Sequence, residues 1–129
     1  MFLRLRRILA LYLDCIIIFG ISYFPMYYIY TLFENMFMNI VTSIIAIILM
    51  VNLFLRKDCL LGYNSIGKKI FKLKIYQNDK MVNNKKLLID RILYTVKSPI
   101  YSLFSLLLNN KTEGDIKCNT EIKSFRKNN

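Results

Sequence analysis

Two stretches of this chain, Cys15–Phe33 and Asn35–Leu55, contain no charged residue. Each is close to the ~20 residues a helix needs to cross a bilayer core. The 129 residues have room for one domain, are 55% hydrophobic and carry a formal charge of +11. A soluble domain of this size could not bury so much apolar surface. Apolar runs in lipid and charges outside it resolve the conflict, so the chain reads as an all-α integral membrane protein, residues 1–129 forming one membrane domain. A cleaved signal peptide is the competing reading of the N-terminus. Asp14 interrupts its apolar run and no A-x-A-like site follows, so cleavage is not expected.

The first helix is expected over about 5–32, with Pro25 as a kink, and the second over about 37–55. Glu34 and Asn35 leave only a tight turn, so the pair should be an antiparallel transmembrane hairpin. Arg4, Arg6 and Arg7 precede it, and a basic loop, 56–86, follows it with nine Lys and Arg. The positive-inside rule then puts the N-terminus and loop in the cytoplasm of a multi-pass cell-membrane protein. A third apolar segment, about 87–108, contains Asp90, Arg91, Lys97 and Pro99. Either it spans, exporting the basic tail 109–129, or it is re-entrant or interfacial with both ends inside; the second is favoured.

Several chemistries are not expected. The chain has no His, which removes Ser-His and Cys-His catalysis and His-ligated metal. Cys15, Cys59 and Cys118 are widely spaced and odd in number, which points to neither disulfides nor zinc. "GYNSIGKK" has the frame of a phosphate-binding loop, but Lys69 stands where a magnesium-holding Ser or Thr is needed, and no strand precedes it. Anionic lipid is the plainer partner for this Lys-rich loop. Positive-inside placement accounts for the charge without nucleic acid. No cofactor, metal or enzymatic activity is expected. The segment "IGKKIFKLKIYQNDK" fits a helix with Ile66, Ile70 and Leu73 opposite Lys68, Lys69 and Lys72, or a strand alternating Leu73 and Ile75 with Lys72 and Lys74.

Asp14 is the costliest residue, since an intramembrane carboxylate usually faces protein and pairs there. Arg7, Ala10 and Asp14 stand at i, i+3 and i+7 on one helical stripe. Arg7 and Asp14 are ~10 Å apart along the axis, too far for a direct bond, and Ala10 would let another element approach closely. Two readings remain open: a staple to Arg91, Lys97 or another cation, or a ligand or transport site.

"RILALYLD" resembles the opening R-x-x-A-x-x-x-D pattern of the RDD membrane-protein family, through Arg7, Ala10 and Asp14. "SIGKKIFKLKI" resembles its T-P-G-K element, matched by Gly67 and Lys68, with Ser65 and Ile66 in place of Thr-Pro. Arg91 fits an arginine at the start of the third segment. "EGDIKCNTEI" resembles the closing G-D-x-x-x-x-T-x-V motif through Gly114, Asp115 and Thr120, with Lys117 and Asn119 departing from it. The resemblance implies a small multi-span protein that binds or moves an unidentified ligand or ion, with Arg7, Asp14 and Asp115 as its Arg/Asp/Asp constellation. The alternative is a non-catalytic assembly, immunity or regulatory subunit with Asp14 as a staple. A homo-oligomer or a larger complex is expected either way.

Overall fold

The computed structural model describes residues 2–125. Helices α1 (Phe2–Leu32) and α2 (Met36–Leu55) lie side by side across a three-residue turn. At 1.5 Å per residue they are about 46 and 30 Å long. Asn35 starts α2 by accepting the Phe37 N–H at 3.1 Å. α1 runs on through Pro25. Its buried residues are Arg7, Ala10, Asp14, Ile18 and Ser22, one narrow stripe, and α2 has none. Their apolar side chains face outward instead: Phe19 is 58% and Ile48 61% exposed. Apolar all round and unburied is the pattern of helices meant for lipid.

After α2 the chain makes a 3-10 turn, Lys57–Cys59, then α3 (Ile66–Ile70), β1 (Leu73–Gln77) and β2 (Lys80–Met81). Helices α4 (Lys85–Lys97), α5 (Pro99–Asn109) and α6 (Glu113–Lys117) follow, and β3 (Thr120–Ser124) closes the fold. The strands form an antiparallel sheet in the order β2-β1-β3. Its core is Leu73, Ile75, Val82, Leu88 and Ile122, packed on Ala10.

Several expectations need correction. The protein is mostly helical but not all-α. The expected basic loop, 56–86, and basic tail, 109–129, contain regular structure, and their strands β1 and β3 pair with each other. The open helix-or-strand choice resolves as both in succession: Lys72, at φ 54°, ends α3 and starts β1. Within α3 burial does not follow the apolar and cationic faces, since Lys68 is 8% exposed and Ile70 58%, while Lys69 is exposed and Ile66 half-buried. The third apolar segment is two helices. Pro99 lacks an N–H and holds Ser98 out of the α region (φ −134°, ψ 70°), so α4 must stop.

The two halves repeat a pattern. Ser65-Ile-Gly-Lys opens α3 and Thr112-Glu-Gly-Asp opens α6, each with its hydroxyl capping a five-residue helix. Each helix ends at a residue of positive φ, Lys72 or Asn119, and feeds a five-residue strand. Equivalent Ile75 and Ile122 sit opposite each other in the ladder, so a local two-fold axis passes between them. Both glycines are steric necessities. A Cβ on Gly67 would lie 2.1 Å from the Ala10 carbonyl oxygen, and one on Gly114 1.9 Å from that of Arg91.

Candidate functional site

At the N-terminal end of α1 a chain of buried ion pairs ties five segments together. Asp115, in the first turn of α6, is its hub. Oδ2 accepts from Arg7 Nη2 at 2.5 Å and from the Thr112 N–H at 3.0 Å. Oδ1 accepts from Arg91 Nε at 2.5 Å and from Thr120 Oγ1 at 3.2 Å. Arg91 reaches the other way, donating from Nη1 to Asp58 Oδ2 at 2.6 Å, while Lys68 Nζ holds Asp58 Oδ1. Arg7 also donates to the Asn110 carbonyl, where Asn110 at φ 57° ends α5. The lock thus runs Lys68–Asp58–Arg91–Asp115–Arg7, with every side chain nearly or wholly buried.

Burial alone would raise Asp58, but Lys68, Arg91 and Lys57 outweigh it and bring its carboxyl down to about 2. Arg91 and Arg7 likewise overcome burial and hold Asp115 well below the usual carboxylate range. Three cations crowd one carboxylate, so Lys68 bears part of the cost. Burial, with repulsion from Arg91 and Lys57, outweighs Asp58 and draws Lys68 down to about 8. Buried ion pairs add little net stability over apolar packing, but removing one partner is expensive. Their effect here is a defined arrangement of α1, the 3-10 turn, α3, α4 and α6.

Asp14 stands apart. Its Oδ1 accepts the Gly67 N–H at 2.7 Å. Its Oδ2 is buried and has no hydrogen-bond partner among the described residues. Neither Arg91 nor Lys97 pairs with it; Lys97 lies over the Tyr94 ring at 5.5 Å. Beyond it is a cavity of about 360 Å³ between α1, α4 and α5. Asp14 and Lys57 line this cavity beside the lock, and Leu11, Val96, Leu103 and Leu106 line it elsewhere. Lys57 is 5% exposed and forms no ion pair among the described residues; its Nζ lies 4.6 Å from the centre of the Phe54 ring. Burial pushes its ammonium below the usual lysine range, against the pull of Asp58 and Asp14.

The structure therefore brings Arg7 and Asp115 together and leaves Asp14 in a different role. Ala10 and Gly67 form the close contact between α1 and α3, and Gly114 the one between α6 and α4. Lys68 and Arg91 are lock members, and Thr120 donates to Asp115 within it. Ser65 caps α3 by accepting the Lys68 N–H at 3.3 Å, a task a threonine hydroxyl can also perform. Sequence reasoning missed Asp58 and Lys57. The available signal was a single acid in the basic run Arg56-Lys57-Asp58, directly after a span.

Two long outward-facing apolar helices above a buried ionic lock define a membrane protein with its polar chemistry at one end. The model of the RDD family matches residues 3–112, and the chain belongs to that family. The match covers Arg7, Ala10, Asp14, Gly67, Lys68 and Arg91 and stops short of Gly114, Asp115 and Thr120. No curated protein and no solved structure gives a significant match.

Proposed function

We propose that this RDD protein binds a polar or ionic ligand in the α1–α4–α5 cavity and takes part in moving it across or within the membrane. α1 and α2 form a transmembrane hairpin, with the N-terminus and sheet unit in the cytoplasm, where the basic residues belong. α5 lies in the interface without crossing: Ile100, Phe104 and Leu108 face outward at 61–77% exposure, and Ser102 and Ser105 face in. No step in this reading is catalytic. The unpartnered Asp14 Oδ2 carries the proposal. A buried carboxylate oxygen left without a donor is expensive, and a ligand that supplies one accounts for its retention.

Asp14→Asn keeps an acceptor for the Gly67 N–H and removes the charge. The expected result is normal membrane abundance, a melting temperature in detergent equal to or above the parent's, and loss of transport. A fall of more than about 5 °C, roughly 1–2 kcal/mol for a chain of this size, would make Asp14 a staple and end the ligand reading. One observation favours the alternative of an assembly or regulatory subunit: α2 buries none of its residues, leaving a whole helix for a partner. A stoichiometric partner in detergent, with no solute flux in liposomes, would decide for it.

A further inference from the structure

The cavity beside Asp14 does not end in polar surface. Phe54 and Val96 line it and also line a second cavity, of about 710 Å³, between α1 and α2. That second space is bounded by Ile18, Phe19, Gly20, Met50 and Val51 and by no charged residue. Adjoining at Phe54 and Val96, they form a candidate slot, ionic at the end of the hairpin and apolar along the membrane helices. A soluble ion or solute has no use for the apolar half. The ionic half has its own preference. Among the described residues four buried basic side chains (Arg7, Lys57, Lys68 and Arg91) meet three buried acidic ones (Asp14, Asp58 and Asp115), an excess of one basic group. Lys57 and Asp14 are the members outside the lock, and both face the slot.

We infer that the slot holds one membrane phospholipid whose head carries a phosphodiester and a hydrogen-bond donor, as in an ethanolamine or glycerol head. This rests on the cavity being the ligand site and names the ligand's class. The phosphodiester, with one negative charge, meets Lys57; with a glycerol head it balances the excess, and with an ethanolamine head the ammonium leaves that excess in place. The ammonium or hydroxyl donates to Asp14 Oδ2, the oxygen that lacks a donor. The acyl chain follows the groove between α1 and α2 past Phe54 and Gly20. A choline head, which has no N–H or O–H, satisfies Lys57 but not Asp14, so the site discriminates between heads.

The test is native mass spectrometry of the full chain reconstituted in an equal mixture of phosphatidylethanolamine, phosphatidylglycerol and phosphatidylcholine. The wild type should retain one lipid of the first two kinds, with the choline lipid about tenfold lower, the difference expected of one charge-assisted hydrogen bond. Lys57→Gln should lower retention of every head about tenfold, and Asp14→Asn should erase the preference between heads. Gly20→Phe checks the groove without disturbing the lock, because a Cβ there meets nothing within 4 Å. It should displace the lipid while soluble glycerophosphoethanolamine still raises the melting temperature. Adducts in the proportions of the mixture, or unchanged by Lys57→Gln, would overturn the inference. Stabilisation by the soluble head with no lipid retained would also overturn it, yet leave the ligand cavity standing. No binding of either, with Asp14→Asn destabilising, would remove both.

Discussion

Asp115→Asn changes one atom's identity and almost no volume, yet it should open the polar end of the molecule. The carboxylate serves two arginines, Arg7 and Arg91, through contacts of 2.5 Å each. Both guanidinium groups are nearly buried, at 5% and 6% exposure, so neither can turn to water for compensation. Breaking a buried pair by removing one partner costs about 3–5 kcal/mol. An asparagine would also present an N–H where one arginine now donates. Whole-domain stabilities are about 5–15 kcal/mol, so this one change removes a large share.

Cys118 reports the opening. It is 8% exposed and three residues from Asp115. Burial, with the nearby Asp90, also holds its thiol above the usual cysteine range. In a background with Cys15 and Cys59 replaced by Ala, maleimide reaches Cys118 only when α6 and β3 detach. At 1.4 kcal/mol per factor of ten, Asp115→Asn should speed labelling by about 10² to several 10³. Asp79→Asn, which breaks the exposed contact to Lys123 at 2.8 Å, should leave the rate unchanged. Labelling of Asp115→Asn within about threefold of the parent would refute the lock.

Two further predictions rest on the same geometry. Gly67→Ala and Gly114→Ala each push a Cβ to about 2 Å from a helix carbonyl and should cost more than ~2 kcal/mol, whereas Gly20→Ala, with open space around it, should stabilise by ~0.5–1 kcal/mol; chemical unfolding in detergent would rank the three. For pH, Asp58 moves from 3.8 to about 2 on folding, a contribution of roughly 2 kcal/mol that is complete above pH ~4 and lost as pH falls from there through 2. Lys68 moves from 10.5 to about 8, so it costs most below pH 8 and stability should climb as pH rises from 8 toward 10.5; thermal melts should show that alkaline rise in the parent and not in Lys68→Met.

The membrane helices were legible because each is one unbroken run of uncharged residues, a signal that needs no knowledge of tertiary contacts. The stripe Arg7–Ala10–Asp14 was legible for a similar reason, since helical spacing fixes which residues share a face, and all three are buried. The sheet was not. β1 and β3 are each five residues long, and what makes them strands is their pairing, which no local window contains. Asp58 was hidden by its neighbours: among Arg56, Lys57 and the lysines that follow, an acid reads as surface charge. Only Lys68 and Arg91, ten and thirty-three residues on, reveal it as a shared counter-ion. The same long-range pairing governs burial in α3, since Lys68 turns inward to reach a carboxylate that its own helix does not supply.

The bond between Arg7 and Asp115 joins residues 108 positions apart. At ribosomal rates of ~5–20 residues per second, their syntheses are separated by about 5–20 s. During that interval α1 and α2 can enter the membrane, but Arg7 has no carboxylate and β1 has no outer neighbour on its β3 side. The turn of α6 and β3 must emerge before either is satisfied, so the lock cannot close until synthesis has passed these elements. A chain cut before Asp115 would insert as a helix pair with an unpaired guanidinium and an open sheet edge, a form that proteolytic surveillance could tell from the locked one.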